Sequence, residues 1–508
     1  MKRTAFLAST AALAACGGGG GSQTSTVPTP LRGPSSVLTG VTIVNTRDGS
    51  LTTNMTIAIQ NGKVSYIGPA GAFDPATLGT VVATGGFVVP GYNDFHAHPL
   101  NFSDPQGALT LMLAHGITGF RQMSGSAALL AARAQGPLTT APQPALLDLP
   151  GDILTAANAP TSAAAVAQVD LQQSQGTDFI KVVGIVGDPF FAALAESKRL
   201  GLRYIGHLSA AIDPRQAVDS GMRSVEHLGT RDALLIGCST QEAAIRQAIP
   251  PPAAPSGPPP PNFVTNQITL PTAFIAPTEF ARYQQVINTY SDARMQDLVG
   301  HFIAAGTWTI PTLIRLRTQE FATDPAYASD PNLKYITAAQ LAVWQSLAQQ
   351  FATQVSPTSQ ATLQQLFGLQ THLVRPFKSA GVMMLAGSDL GGEWVIPGFG
   401  LHQEFDLLGA AGLTPLEVLQ MTTLNGAQFL GRESTMGTVD VGKDANLVVL
   451  SANPIQSIQN LHAITGVVRA GTYYSSDALN ALKQSVQQHL TSFIPSPSSL
   501  RPACGCYA

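Results

Sequence analysis

The chain has 508 residues, of which 44% are apolar and 11% charged, with a formal net charge of −3. This length and apolar content can build a large core, as two or three domains or as one barrel with an accessory unit. The small negative charge provides no basic field and argues against binding to nucleic acid.

The first sixteen residues predict an export signal. Lys2 and Arg3 form a basic start, Phe6 to Leu13 are a short apolar run, and small residues precede Cys16. This pattern resembles the lipobox of bacterial lipoproteins, which implies a lipidated Cys16 and a periplasmic or cell-envelope location; an ordinary cleaved signal is the alternative. Residues 17–35, rich in Gly, Ser and Pro, then form a flexible tether. The only membrane contact expected is through this anchor.

Both ends of the remaining chain predict β-strands. Leu38 to Asn45 and Met55 to Ile59 alternate apolar and polar residues, and Asn61-Gly62 predicts a hairpin turn. Strand patterns return at 446–450 and 464–471. We therefore expect a small β-domain, a β-sandwich, formed by residues 36–88 together with 436–475.

Residues 89–435 have a repeating strand–helix pattern with eight candidate strands. A continuous run at Phe87 to Phe95 and a weak one near Leu146 join six others, at 117–123, 179–183, 203–207, 224–227, 308–313 and 382–386. Helices are predicted at 163–173 and 341–366. The alternation indicates an α/β fold with a parallel sheet. A doubly wound sheet would also explain it, but polar residues at the strand ends favour a (β/α)8 TIM barrel.

Two segments depart from this pattern. Residues 249–277 form a Pro-rich, irregular insertion, expected to be either a lid over the barrel mouth or disordered. After the β-domain, residues 476–508 predict a helix and a tail with Cys504 and Cys506. A disulfide between these two cysteines would be strained, so a disordered terminus is the simpler interpretation.

Polar residues stand where the apolar strand runs end. The run from Val88 ends in His96-Ala-His98, which places both imidazoles on one face of a strand. Such a pair suits one transition metal, although alone it is weak support. His207, His227 and Asp389 each end a later run, and each alone is also explained as a satisfied core residue.

Lys181 lies inside the apolar run 179–183, where an unpaired ammonium is costly. An ion pair or a snorkelling side chain would be a structural explanation. Together, however, four histidines, one carboxylate and this lysine fall on strands whose C-terminal ends meet at one mouth of a barrel. This donor set suits Zn2+ or Mn2+.

These motifs resemble the amidohydrolase superfamily, in particular its imidazolonepropionase-like and Xaa-Pro-dipeptidase-like branch. The similar features are Pro90-Gly91 before the two histidines, the Ile-Lys-Val strand, Ser224 to His227, Ala386 to Asp389, and the return at 437–450. The resemblance covers about residues 36–475. The Gly-His-Leu-Ser segment around His207 departs from many relatives and leaves the subfamily open.

The resemblance implies a role for each residue. His96, His98 and Asp389 would hold one divalent metal ion, which the resemblance implies to be Zn2+, and His207 and His227 a second. Lys181 would be carbamylated and bridge the two ions. A hydroxide between the ions would attack a carbonyl, and Asp389 would pass its proton to the leaving amine.

The predicted function is hydrolysis of an amide bond in a small molecule, such as a dipeptide or an N-acyl amino acid. A lactonase or phosphotriesterase using the same site is the alternative within enzymes, and an inactive surface-anchored binding protein is the alternative outside them. Arg121, at the end of the second strand run, is a candidate for binding a substrate carboxylate or for a structural ion pair. The family resemblance also implies a homo-oligomer.

Overall fold

The computed structural model describes residues 36–72, 74–229, 231–250 and 263–492. The predicted export signal, the tether, the middle of the Pro-rich insertion and the pair Cys504 and Cys506 lie outside these residues. Within them, no helix combines the length and the hydropathy needed to cross a bilayer.

The described residues form strands and helices throughout. The strands are β1 Ser36–Val44, β2 Leu51–Gln60, β3 Lys63–Pro69, β4 Thr80–Thr84, β5 Phe87–Pro90, β6 Tyr92–Ala97, β7 Ile117–Gln122, β8 Ala145–Asp148, β9 Phe179–Val182, β10 Arg203–Gly206, β11 Ser224–Glu226, β12 Trp308–Ile310, β13 Leu447–Leu450, β14 Ile464–Arg469 and β15 Thr472–Ser475. The helices are α1 Pro105–Ala114, α2 Ala127–Gln135, α3 Ser162–Ser174, α4 Asp188–Arg199, α5 Pro214–Asp219, α6 Ala233–Gly237, α7 Glu242–Ala248, α8 Phe263–Thr269, α9 Pro277–Asn288, α10 Asp292–Ala305, α11 Leu313–Glu320, α12 Pro325–Ala328, α13 Ala338–Gln354, α14 Pro357–Ala380, α15 Phe399–Ala410, α16 Pro415–Thr422, α17 Leu424–Leu430 and α18 Ser476–Ser492.

Strands from both ends of the chain share one sheet, in the order β15-β14-β13-β5-β1-β2-β3, with β4 paired to β1. Strand β5 joins the two ends, because it pairs in parallel with β1 and antiparallel with β13. Leu38, Ile57, Val88, Leu447 and Val468 pack together in the core of this sheet. The eight strands form a single hydrogen-bonded sheet, and the two-layer sandwich stays a prediction.

The middle of the chain contains two parallel sheets, β6-β7-β8 and β9-β10-β11-β12, with helices between successive strands. This is the α/β arrangement that the strand–helix alternation predicts. Single parallel bridges extend the sheets: Leu154 pairs with Val182, and Thr309 pairs with Met384. The run 382–386 lies beside β12 and β6 but forms no regular strand.

Two predicted elements are divided in the structure. The run 87–95 breaks at Gly91, where a Cβ atom would lie 2.1 Å from the hydroxyl oxygen of Thr118, so that only glycine fits. The predicted helix 341–366 is wrong as one element, because α13 ends before Ser356 and α14 begins at Pro357. Proline disfavours helical backbone in the residue before it but is well suited to a first helical position.

The predicted irregularity of the insertion up to Pro277 is also wrong. Residues 263–269 form α8, and Pro277 starts α9. Ile268 and Leu270 are buried, so apolar side chains anchor this half of the insertion against the rest of the protein.

Candidate metal centre

His96 and His98 lie at the C-terminal end of β6, and both side chains are fully buried. Their ring centroids are 5.5 Å apart. Burial lowers the pKa of His96 to about 4 and also lowers the pKa of His98. Both rings are therefore neutral at neutral pH, the state in which imidazole nitrogen can bind a metal.

Asp389 meets this pair from the other side. Its backbone N–H donates to the carbonyl of His96 at 2.7 Å, and its Oδ1 lies 3.1 Å from Nε2 of His98 and 3.3 Å from Nε2 of His96. One ligand atom from each of the three residues lies within 4.8 Å of the others. Burial opposes ionisation of Asp389, but His96 and His227 hold its pKa well below the usual value.

Close approach of the chain at Gly387 makes this contact possible. A Cβ atom there would lie 2.7 Å from Cβ of His96 and 2.8 Å from its backbone nitrogen. Asp389 itself has a left-handed φ of 52°, which is uncommon for a non-glycine residue and is typical of functional sites.

His207 and His227 follow β10 and β11 directly. The ring centroid of His227 lies 4.7 Å from that of His207 and 4.4 Å from that of His96. Burial holds the pKa of both His207 and His227 well below the usual range. The structure thus brings four neutral imidazoles together at the ends of three parallel strands.

Lys181 points into the same region from β9 and is fully buried. Among the described residues its Nζ atom has no hydrogen-bond partner and forms no ion pair. Burial lowers the pKa of Lys181 to about 8. Because the side chain is neither exposed nor paired, neither the snorkelling nor the ion-pair explanation is observed here.

Two residues that the sequence reasoning did not assign fix the orientation of the histidines. The Nδ1 atom of His96 lies 2.6 Å from Oε2 of Glu226, so Nδ1 carries the proton and Nε2 faces Asp389. The Nδ1 atom of His227 lies 2.6 Å from the hydroxyl of Thr312. That hydroxyl donates to the carbonyl of Pro311 and therefore accepts from His227. Glu226 stands in an apolar strand beside His227, a signal that could have identified it.

Arg121 forms a buried ion pair with Glu226. Its side chain is fully buried, its Nη2 donates to Oε1 of Glu226 at 2.9 Å, and its Nε donates to the carbonyl of Phe95. Arg121 and His96 hold the pKa of Glu226 well below its usual value, although burial opposes ionisation. These contacts agree with the ion pair that the sequence left open for Arg121, and binding of a substrate carboxylate stays a prediction.

A cavity of about 610 Å³ opens beside the cluster and includes His207 in its wall. Charged residues of its wall pair with one another: Arg231 lies 3.2 Å from Glu279, and Arg282 lies 2.7 Å from Asp232 and 3.1 Å from Glu279. Ile249 and Pro250, the start of the predicted insertion, also line it. The lid prediction depends on the next residues, 251–262, which lie outside the described part of the chain.

A family model, two curated relatives and several solved structures support the family resemblance. The model of the Amidohydrolase family matches residues 341–473, a segment that includes Asp389. The other five predicted ligands precede this segment, so they rest on the geometry above.

Two curated relatives match over short segments. A 5'-deoxyadenosine deaminase from Methanobrevibacter smithii is 32% identical over 80 residues, 16% of this chain and 18% of the relative. An imidazolonepropionase from Shouchella clausii is 38% identical over 55 residues, 11% of this chain and 12% of the relative. The matches thus span less than a fifth of either relative.

Solved structures match along nearly the whole chain. Bottromycin amidohydrolase has a TM-score of 0.64 at 21% identity and covers 93% of this chain and 94% of its own. A Xaa-Pro dipeptidase with bound methionine has a TM-score of 0.57 at 15% identity and covers 87% of this chain and 100% of its own. A prolidase complexed with N-methylphosphonate-L-proline has a TM-score of 0.57 at 17% identity and covers 87% of this chain and 99% of its own. The chain thus has the fold of these proteins, and its residues 341–473 match the model of the Amidohydrolase family, which confirms the resemblance to amidohydrolases predicted from its motifs.

Proposed function

We propose that this chain is a metal-dependent hydrolase that cleaves an amide bond in a small molecule. The observation that carries the proposal is the convergence of His96, His98 and Asp389, whose ligand atoms lie within 4.8 Å of one another. Two neutral imidazoles and one carboxylate are one of the donor sets that hold zinc at catalytic sites.

The remaining residues support a second metal position. His207 and His227 are adjacent and neutral, and the buried amine of Lys181 lies in the same cluster without a hydrogen-bond partner. Carbamylation of Lys181 would remove the positive charge that burial disfavours and would provide two oxygen ligands between the positions. We therefore assign two Zn2+ ions to the complete site.

When bound, such ions would supply a nucleophile at neutral pH and polarise the scissile carbonyl group. Asp389, ionised and held at the centre of the cluster, would accept a proton at a carboxylate oxygen and transfer it to the leaving nitrogen. Glu226 and Thr312 would keep His96 and His227 in the tautomers that direct Nε2 inward.

We further infer that the two parallel sheets close into one (β/α)8 barrel. The bridge between Leu154 and Val182 links β9 to the segment after β8, and the bridge between Thr309 and Met384 links β12 to the run 382–386. Phe95 then donates its backbone N–H to Ala386 at 3.0 Å, which links that run to β6. The cluster would lie at the C-terminal mouth, where barrel enzymes build their sites.

The cavity beside His207 is large enough for a dipeptide or an N-acyl amino acid. Similar structures described as a dipeptidase and an amidohydrolase support an amide bond as the scissile bond. Export through the N-terminal signal, a lipid anchor at Cys16 and assembly into a homo-oligomer remain part of the proposal.

Metal content and turnover of the purified full-length chain test this function. Elemental analysis after reconstitution with Zn2+ and bicarbonate should give about two ions per chain, with fewer in Lys181→Ala and no change in Lys483→Ala. Lys483 is a matched control because it is half-buried in α18. Asp389→Asn should abolish hydrolysis of dipeptides or N-acyl amino acids.

Each other outcome changes the proposal in a defined way. Turnover of lactones or phosphotriesters alone would keep the site and replace the substrate class. If the wild-type chain binds no Zn2+, the proposed hydrolase function is overturned and the alternative of an inactive binding protein is favoured.

A further inference from the structure

Arg315, in the first turn of α11, is buried beside Asp389. Its side chain is 1% exposed, and its Nε atom lies 3.2 Å from Oδ2 of Asp389. Oδ1 of the same carboxylate faces His96 and His98. The guanidinium therefore lies against the oxygen that is turned away from these two histidines and that lies 3.9 Å from Nε2 of His227.

The other end of the same guanidinium binds the insertion. Nη2 of Arg315 donates to the carbonyl of Ile268 in α8 at 2.8 Å. The next residue of α8, Thr269, accepts a hydrogen bond from the backbone N–H of Glu393, four residues after Asp389. Helix α8 thus contacts the Asp389 loop directly and through Arg315.

Gly392 provides the space for this guanidinium. A Cβ atom there would lie between 2.4 and 2.6 Å from Nη1, Cζ and Nε of Arg315, so any larger residue would displace the side chain. The loop that carries Asp389 is therefore built around Arg315.

The backbone of α11 is fixed as well. The carboxyl group of Glu404 accepts from the N–H of Ile314 at 2.8 Å, and Thr312, which precedes the helix, holds His227. One short segment, 312–315, therefore contacts two of the six predicted metal ligands through different side chains.

We propose that Arg315 is a positioning residue that holds Asp389 with Oδ1 turned toward His96 and His98, and that it couples this orientation to the docking of α8. Pairing of Oδ2 with Arg315 leaves Oδ1 alone to face His96 and His98. A guanidinium can bind a carboxylate and a carbonyl at the same time in a fixed geometry, whereas the single ammonium of lysine cannot reproduce both contacts. This inference rests on the proposed function only for its metal readout.

The first test measures hydrogen–deuterium exchange of the metal-free full-length chain. In Arg315→Met, exchange should accelerate at least fivefold at the amides of α8, Asp389 and Glu393. Arg317→Met is the matched control: Arg317 lies in the same helix and pairs with Asp324 at 2.9 Å, away from the cluster. Arg317→Met should leave the exchange rates of these amides unchanged.

The second test measures binding of Co2+ and the visible spectrum of the Co2+-loaded chain. Arg315→Met should raise the dissociation constant about tenfold and change the bands that report ligand geometry, whereas Arg317→Met should do neither. If Arg315→Met fails to fold, Arg315→Lys replaces it in both tests, with faster α8 exchange as the expected result.

The outcomes separate this inference from the proposed function. Faster exchange at α8, Asp389 and Glu393 in a chain that binds no Co2+ would retain Arg315 as the link between α8 and Asp389 and overturn the metal centre. Unchanged exchange at Asp389, or an unchanged Co2+ spectrum in a chain that binds Co2+, would overturn the positioning role and leave Arg315 a structural anchor.

Discussion

Oε2 of Glu226 lies 2.6 Å from Nδ1 of His96, although 130 residues separate the two along the chain. The same carboxylate accepts hydrogen bonds from Arg121 at 2.9 Å and from the hydroxyl of Ser224 at 2.8 Å. All of these side chains are fully buried. The orientation of His96 therefore depends on one buried carboxylate that does not itself face Asp389.

Glu226→Gln should weaken both metal binding and the fold. The amide leaves the guanidinium of Arg121 buried without its anionic partner, which should lower the free energy of unfolding by about 3 kcal/mol. The amide also keeps only one acceptor oxygen for the three groups that Glu226 binds, Arg121, Ser224 and His96. The weaker hold on His96 should weaken Zn2+ binding at least tenfold, in the range of such outer contacts. Urea unfolding and competition with a chromophoric chelator measure the two effects.

An exposed carboxylate provides the comparison. Asp440 pairs with Arg47 at 2.9 Å on the surface, so Asp440→Asn should change the free energy of unfolding by less than about 1 kcal/mol. Equal Zn2+ affinity in wild type and Glu226→Gln would contradict the orienting role.

Thr312→Val should weaken metal binding while Thr312→Ser should not. Valine keeps the shape of threonine but removes the hydroxyl that accepts from His227, whereas serine retains it. Thr312 has a left-handed φ of 46°. Because valine is β-branched like threonine, valine and threonine should have a similar energetic cost for this backbone conformation. Calorimetric titration should show that Thr312→Val alone loses Zn2+ affinity, by about tenfold. Equal losses of affinity in the two variants would contradict a role of the hydroxyl in holding His227.

The cluster of His96, His98 and Asp389 could be predicted because its signals are local. Strand periodicity places His96 and His98 together, and the apolar run before Asp389 predicts a strand there. The run lies beside β12 and β6 without forming a regular strand, and this position still brings Asp389 to His96. The C-terminal ends of parallel strands meet, so proximity followed from the fold class. The prediction needed no knowledge of side-chain packing.

The partners of these ligands could not be predicted in the same way. Arg315 contacts Asp389 only because α11 and the loop at Gly392 pack together, and no local pattern distinguishes it from Arg317 in the same helix. The left-handed backbone of Asp389 and His227 likewise depends on tertiary contacts, since such backbone is uncommon for residues other than glycine. The break before Pro357, in contrast, was visible in the sequence as Ser-Pro.

Gly387→Ala should destabilise the fold and weaken the metal site together. The added methyl would lie 2.7 Å from Cβ of His96, so the chain carrying Asp389 must move away. Overpacking of this kind costs about 2 kcal/mol, and the displaced Asp389 should raise the dissociation constant for Zn2+. Thermal unfolding measures the loss of stability, and competition with a chelator measures the dissociation constant for Zn2+.

Gly368→Ala is the matched control for the added methyl. Gly368 lies inside α14, and a methyl group added there would meet no atom within 4 Å outside its own helix backbone. Alanine should stabilise this helix by up to about 1 kcal/mol. A Gly387→Ala protein as stable as Gly368→Ala would show that the two chain segments at Gly387 and His96 are not in contact.

Glu404 should make stability fall as pH rises. Burial raises the pKa of Glu404 to about 8, against an ordinary value of 4.5, although backbone N–H groups of Ile314 and Leu313 oppose the shift. Between about pH 4.5 and 8 the folded chain keeps this proton while the unfolded chain releases it, so raising the pH favours unfolding.

Glu404→Gln isolates this contribution, because glutamine does not titrate. The free energy of unfolding of wild type minus that of the variant should decrease from pH 4.5 to pH 8, by on the order of 4 kcal/mol. Glu417→Gln should show the opposite sign: partial burial opposes ionisation, but the backbone and hydroxyl of Thr414 keep the pKa of Glu417 below its usual value. Wild type should therefore gain stability over Glu417→Gln as the pH rises through about 4. Urea unfolding at several pH values measures both differences, and parallel trends in the two variants would mean that Glu404 is ionised in the folded chain.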